Sequence, residues 1–305
     1  MLKKKIIFLL GPTGIGKSAV AVSLAKKINA QIVSCDSMQV YRKMDILTSQ
    51  VPLGERKGIK HHLAGILDPQ QEYNVAKYRK AALAICDKLF SKGKIPLFVG
   101  GTGLYYSIIV DGLFAAVPQD RLIRAKLEKQ LKLKGNQYLY RRLARVDSAA
   151  AKKIHPNDAR RIIRATEVYL KTGKTISQLQ KNRVGLGKEY AVKIFGLNVK
   201  RESIYDRINR RVDIMFDLGL INEVKSLIKH RLSRTAKCAI GVSELKGYLD
   251  GKYSLAEGKR LMQRNSRHYA KRQLTWFRKD KRIKWININD QEAPGEIAKR
   301  IYSQL

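Results

Sequence analysis

Two hydrophobic rhythms alternate along the first 120 residues. Ile6–Leu10 and Ile95–Val99 are short unbroken apolar runs, and Gln-Ile-Val-Ser-Cys-Asp at 31–36 is a third mostly apolar stretch. Runs of this length predict buried strands rather than helices. Between them, Ala19–Ile28 reads as a helix. Asn74–Lys92 repeats apolar residues at helical spacing (Val75, Tyr78, Ala82, Ile85, Leu89), with Gly93 as its stop. Strand and helix in alternation predict an α/β fold on a parallel sheet. The basic stretch 55–62, ending at His61-His62, predicts surface.

Near Val117-Pro118 the rhythm changes. Residues 120–182 carry no strand pattern and predict helices over Asp120–Lys134, Gln137–Arg145, Ser148–Ile154 and Ala159–Lys171. Asn157-Asp158 caps the last of these and Gly173 ends it. Arg183–Glu189 reads as a linker, and Ala191–Val199 as a strand returning to the first sheet. The expected organisation is a core of residues 1–117 with 189–305, interrupted by an all-helical insertion at 118–188. Further along, Arg201–His230 predicts one long helix with Ile204, Ile208, Val212, Met215 and Phe216 inward. Ala239–Leu249 and Leu255–Lys279 predict two more helices, and Ile283–Ile288 a short edge strand.

Between the first strand and the first helix lies Gly11-Pro12-Thr13-Gly14-Ile15-Gly16-Lys17-Ser18. Strand, glycine-rich loop, Lys-Ser and helix form the phosphate-binding P-loop arrangement. The glycines let backbone N–H groups curl around phosphate oxygens, and the helix N-terminus adds its positive end. Lys17 supplies a point charge, and the Ser18 hydroxyl suits Mg²⁺. The bland alternative is a tight turn without ligand. With it, the motif indicates that a di- or triphosphate binds, but not what becomes of it.

Charge changes the picture. The chain of 305 residues has a formal net charge of +37. Residues 1–120 contribute +9 and residues 121–305 contribute +28. An excess of this size outside the P-loop half favours a polyanionic partner, nucleic acid above a membrane surface. Cys35, Cys86 and Cys238 are too scattered for a zinc knuckle or a disulfide framework, so no structural metal is expected. No apolar run approaches a membrane span, and the short run after Lys3-Lys4-Lys5 leads straight into the P-loop, so a cytosolic protein is expected.

Five further features carry candidate chemistry. Asp36 ends the 31–36 strand, where it is a Walker-B-type metal ligand, a general base or a turn-capping residue. Gly100-Gly101-Thr102-Gly103 ends the next strand without an acid, placing a neutral hydroxyl beside the phosphate loop, or simply making a turn. Arg160, Arg164 and Lys171 share a helix face with Arg161 beside them, either solvated or set for a phosphate backbone. Arg207 and Arg211 are four apart at the edge of an apolar stripe, where they snorkel to water or aim at the phosphates. The stretch from Arg264 to Arg278 mixes cations with Tyr269, Trp276 and Phe277, a composition suited to phosphates and splayed bases.

Taken together, these motifs resemble the tRNA dimethylallyltransferases, the bacterial tRNA isopentenyltransferase family. The resemblance spans nearly the whole chain. It rests on the P-loop, Asp36-Ser37-Met38-Gln39-Val40-Tyr41, Met44-Asp45-Ile46, His61-His62-Leu63 and Gly100–Tyr105. It continues through Ile154–Asp158 with Arg161, Arg164 and Glu167, to Ala270–Arg278. It implies a P-loop NTPase-like parallel sheet flanked by helices, with the helical insertion gripping a tRNA anticodon stem-loop. It implies transfer of a dimethylallyl group from dimethylallyl diphosphate to N6 of the adenosine 3′ to the anticodon, with Mg²⁺, by a monomer. In that role Asp36 is the expected base, Thr102 orients the amino group, and Arg207 and Arg211 complete the diphosphate clamp. RNA contacts are implied for Asp36–Gln39, Thr102, Arg124, Arg160, Arg161, Arg164, Gly241, Val242, Lys271, Arg272, Gln273, Trp276 and Arg278. The chain departs from the family pattern at Ala64-Gly65, at Leu47 in Asp45-Ile46-Leu47-Thr48, at Val242-Ser243 and at Ser266. None of these changes removes Lys17, Asp36 or Thr102. Two other classes explain part of the sequence. A small-molecule P-loop kinase leaves the basic half unexplained, and a non-catalytic RNA-binding protein gives Asp36 no task.

Overall fold

The computed structural model describes residues 3–114 and 117–305. By its internal contacts the chain forms two compact units, one of Met1–Val110 with Gly187–Leu305, the other of Asp111–Leu186. Residues 115–116, just before the expected change of character at Val117, lie outside the described residues.

The larger unit is built on six parallel strands: β1 (Lys5–Leu10), β2 (Ala30–Ser34), β3 (His61–His62), β4 (Ile95–Gly100), β5 (Ala191–Asn198) and β6 (Lys284–Asn287). Their order is β3-β2-β4-β1-β5-β6. The expected α/β class and the return of Ala191–Val199 to the first sheet are both borne out, with Lys5 opposite Ala191 and Leu10 opposite Gly196. β1 is completely buried from Ile6 to Leu10, as a central strand covered on both faces requires. The basic 55–62 stretch ends in β3, because Ile32 and Val33 of β2 pair with His61 and His62. Burial and the nearby Lys60 and Lys88 pull the His62 imidazole down to about 4, so it is neutral at physiological pH.

Helices α1 (Lys17–Lys27), α2 (Val75–Phe90) and α3 (Gly103–Val110) follow strands β1, β3 and β4. The expected Arg201–His230 helix is instead two, α8 (Arg201–Asp217) and α9 (Leu220–Leu227), numbered after the insertion helices given below. They part at Gly219, whose φ of 92° leaves the helical region. α10 (Val242–Leu249), α11 (Leu255–Phe277) and α12 (Pro294–Tyr302) complete this unit. On α11 the inward residues are Met262, Ser266, Ala270, Gln273 and Phe277, a spacing of three and four that marks one face. Phe277 is fully buried and Trp276 is 39% exposed.

The smaller unit contains, among its described residues, only helices: α4 (Arg121–Val146), α5 (Ser148–Ala151), α6 (Ala159–Thr172) and α7 (Ile176–Lys181). The two expected helices at 120–145 run together as α4 across a non-helical Gly135. Leu127, Leu139, Leu143, Ile162 and Ile163 form their shared core. Asp120 caps α4 by accepting from the Leu122 and Ile123 amides, and Asp158 caps α6 through the Arg161 amide.

Candidate active site

β1 delivers the chain into the glycine-rich loop, and α1 begins at Lys17 with Gly16 as its N-cap residue. Gly14 has a φ of 82°, and a Cβ there would press on the Ile208 side chain of α8, so this position accepts only glycine. The amides of Gly14, Ile15 and Gly16 have no partner among the described residues. From half-buried Gly14 through buried Ile15 to exposed Gly16, three free amides in a row stand at a helix N-terminus, the arrangement that receives an anion. Lys17 Nζ donates to the Pro12 carbonyl at 2.8 Å. Burial lowers its ammonium to about 8, against the opposing pull of Asp36. The Ser18 hydroxyl is exposed and has no protein partner among the described residues.

Asp36 follows β2. Its Oδ1 accepts from the Met38 amide at 2.8 Å and the Gln39 amide at 3.4 Å, an Asx-type turn. Thr102 folds against the same segment. Its amide donates to Cys35 O at 3.1 Å, and its Oγ1 accepts from the Ser37 amide at 3.0 Å. Burial pushes the intervening Cys35 thiol up to about 12, so it stays neutral. The strand ends after β2 and β4 thus bring Asp36, Ser37 and Thr102 together.

Asp36 and Ser37 face a cleft of about 270 Å³ lined also by Thr13, Arg211, Tyr269 and Arg272, with Met38, Leu47, Met215 and Met262 as apolar wall. The two arginines of α8 divide their tasks. Arg211 lines the cleft and donates to Thr13 Oγ1 at 2.6 Å. Its Nε is buried without a partner, and burial works against its charge while Asp36 supports it. Arg207 is held elsewhere: it pairs with Asp290 at 2.8 Å and donates to Ile15 O at 3.3 Å, supporting the loop from behind.

Sequence reasoning mentioned Tyr269 only as a stacking aromatic. The structure puts it in the cleft wall, with burial raising its phenol so that it remains neutral. Glu223 carried no signal in the sequence, yet its carboxylate accepts from the Ile46 and Leu47 amides at 2.9 and 2.8 Å. That fixes the turn from which Leu47, Thr48 and Ser49 reach the cleft.

Several residues expected at an RNA surface lie elsewhere. Gln273 is 5% exposed and bonded to the phosphate loop. Gly241 and Val242 are buried, and the Gly241 amide donates to Glu244 Oε2 at 2.8 Å. Arg124 and Arg164 both turn onto Glu167, at 3.0 and 2.9 Å, because that carboxylate is fully buried and needs neutralising. Burial opposes its charge, but hydrogen bonds from Arg164, the Asp120 amide and Arg124 hold Glu167 below the usual carboxylate range. Arg160 and Arg161 are exposed, as are Lys271 and Trp276 on α11, Arg278 just beyond it, and Arg272, which also borders the cleft. Charge in the sequence showed where cations are, not which of them are already paired.

Comparison with known proteins agrees with this geometry. The family model for IPP transferase matches residues 39–280, and that for isopentenyl transferase matches residues 4–57. A tRNA dimethylallyltransferase of Carboxydothermus hydrogenoformans is 45% identical over 305 residues, covering 99% of this chain and 98% of the relative. One of Halothermothrix orenii is 43% identical, covering 98% and 91%. The full-length tRNA isopentenylpyrophosphate transferase of Bacillus halodurans superposes with a TM-score of 0.72 at 37% identity, covering 99% and 97%. A eukaryotic dimethylallyltransferase solved while acting on tRNA gives a TM-score of 0.81 at 29% identity, covering 98% and 77%. With the P-loop, the Asp36–Thr102 pair and full-length similarity in agreement, the chain belongs to the IPP transferase family, that of the tRNA dimethylallyltransferases.

Proposed function

We propose that this protein transfers a dimethylallyl group from dimethylallyl diphosphate to N6 of the adenosine 3′ to the anticodon of tRNA, position 37, releasing diphosphate. The observation that carries the reading is the row of unpartnered amides from Gly14 to Gly16 beside a cleft walled by Asp36 and Arg211. The C1–O bond of the donor breaks and oxygen keeps the electron pair. The amides, Lys17 and Arg211 meet the negative charge that develops there. N6 is a weak nucleophile because its lone pair is delocalised into the ring. As the N6–C1 bond forms, the N6 proton passes to the Asp36 carboxylate, while Thr102 orients the amino group. The base must leave its stack to reach such a site.

The Ser18 hydroxyl, without a protein partner, fits a hard cation that keeps most of its other ligands from phosphate and water. Bound Mg²⁺ would supply further neutralisation of the diphosphate. RNA contact is assigned to the exposed Arg160, Arg161, Lys271, Arg272, Trp276 and Arg278, together with Ser37, Met38 and Gln39. Arg207, Gln273, Arg124, Arg164, Gly241 and Val242 act by holding the framework. We place the enzyme in the cytoplasm, where tRNA is read, as a monomer.

The direct test incubates purified protein with dimethylallyl diphosphate, Mg²⁺ and unmodified tRNA, followed by mass spectrometry of the nucleosides. A gain of one isopentenyl group on adenosine is expected. No gain from folded protein that binds tRNA would overturn the reading.

Lys17 gives a separate prediction. Its ammonium lies at about 8, and a diphosphate against it raises that value. Inorganic diphosphate should therefore bind more weakly as pH rises through about 8, and binding at about pH 8.5 should take up a proton. Calorimetric titration in two buffers of different ionisation enthalpy measures this. Absence of proton uptake would place Lys17 out of contact with the anion.

A further inference from the structure

We propose that Gln273 is a positioning residue for the transfer step. Its carboxamide fixes the phosphate loop against the turn carrying Thr102, so that leaving group and acceptor are held at one separation. Oε1 accepts from the Thr13 amide at 2.8 Å, and Nε2 donates to the Gly101 carbonyl at 2.8 Å. The sheet register between β1 and β4 ends at Leu10 opposite Gly100. Beyond that pair the two chains diverge, one into the phosphate loop and the other into the Thr102 turn. The carboxamide spans them where the ladder stops, supplying one acceptor and one donor as a peptide group would. The neighbouring glycine is shaped to it: a Cβ at Gly101 would collide with Gln273 Nε2.

Both ends of this link touch the chemistry. Thr13, on one side, carries the hydroxyl that receives Arg211. Gly101, on the other, precedes Thr102, whose Oγ1 accepts from the Ser37 amide beside Asp36. The link also takes the Thr13 amide out of the set available to the anion, leaving those from Gly14 onward. The helix that carries Gln273 inward presents Lys271 and Trp276 outward. Gln273 is therefore assigned to the diphosphate and transfer side of the helix, not to RNA contact. The assignment rests on the reaction proposed above.

The test compares Gln273→Glu and Gln273→Leu with the wild type. An ionised Glu keeps an acceptor for Thr13 but sets an oxygen against the Gly101 carbonyl; protonated, it regains the donor. Tyr269, one turn earlier on the same helix, stays neutral throughout, since burial raises its phenol. Lys17 of the phosphate loop, whose ammonium lies at about 8, and its neighbours Asp36 and Arg211 are common to variant and wild type, so their titration enters both rates. For Gln273→Glu, kcat should fall about 10- to 100-fold at about pH 8.5, with the KM for tRNA within about twofold. The ratio of variant to wild-type rate should climb toward one as pH falls to about 6. Gln273→Leu should show a deficit independent of pH. Equal rates at every pH, or a loss confined to the KM for tRNA, would overturn the assignment. Titration with inorganic diphosphate decides the matter apart from turnover. Gln273→Leu should bind it about tenfold more weakly with tRNA affinity unchanged, and equal diphosphate affinity would refute the link. If wild-type protein transfers nothing, the proposed reaction fails while this titration still answers for Gln273. Should Gln273→Leu not fold, the pH profile of Gln273→Glu stands alone.

Discussion

Asp36→Asn is expected to slow prenyl transfer about 10²- to 10⁴-fold while leaving tRNA affinity within about twofold. The substitution is clean because of how Asp36 is held. Its Oδ1 accepts from the Met38 and Gln39 amides, and an Asn Oδ1 accepts both equally well, so the turn persists. What is lost is the second oxygen as a proton acceptor for N6. Asp36→Ala would also release the turn and blur the two effects. The comparison belongs near pH 7. Asp36 helps to keep Lys17 charged, so at higher pH the variant would lose the loop ammonium as well as the base. Single-turnover rates with saturating tRNA, beside filter-binding affinities, separate the terms. Near-normal turnover would remove Asp36 as the base.

The second large effect is on folding. Glu167→Ala is expected to destabilise the 111–186 unit by about 3 kcal/mol, the low end for breaking a buried ion pair. Glu167 is fully buried and accepts three hydrogen bonds, from Arg124, Arg164 and the Asp120 amide, at 3.0, 2.9 and 2.8 Å. Removing it leaves two like charges facing each other without a counterion. Their side chains are 23% and 28% exposed, so water offsets part of the cost. Arg164 also donates to the Val117 carbonyl at 2.6 Å, so the start of α4 and the segment before it should loosen together. Hydrogen exchange should quicken across residues 117–172 while α1 and the central strands keep their protection. Unchanged exchange in that window would show that the two arginines are not held by Glu167.

The two expectations differ in how far the sequence already announced them. Asp36 and Thr102 were legible because each ends an apolar run, and in a parallel sheet the ends of strands are where ligands bind. The P-loop was legible because every part of its function lies within eight consecutive residues. Gln273 acts through partners more than 170 residues away, and Glu167, apart from Arg164 on its own helix, through partners more than 40 residues away, and no periodicity encodes such long-range pairings. Arg124 reads as RNA-facing for the same reason, whereas Arg164 pairs with Glu167 three residues along its own helix, a spacing the sequence does show. The fold missed at similar points. α3 begins on the last glycine of the Gly-Gly-Thr-Gly turn, whose composition signals a loop. β3 is only two residues long and gains its identity from pairing with β2. The apolar stripe of α8 runs on toward α9 and conceals the break at Gly219.

The placement of β5 beside β1 has a consequence for how the chain acquires its structure. β1, near the N-terminus, is flanked by β4 on one side and by β5 on the other, and β5 begins only at Ala191. A growing polypeptide thus exposes one edge of its most apolar strand until nearly two-thirds of the chain has been synthesised. Pairings this distant in sequence close slowly, although the entropic penalty rises only logarithmically with the intervening length. If residues 111–186 collapse onto their own core first, the segment left to be closed is effectively shorter than its residue count. An early-folding insertion would then serve the nascent protein as a spacer that brings the late strand within reach and limits the time an open edge is available for aggregation.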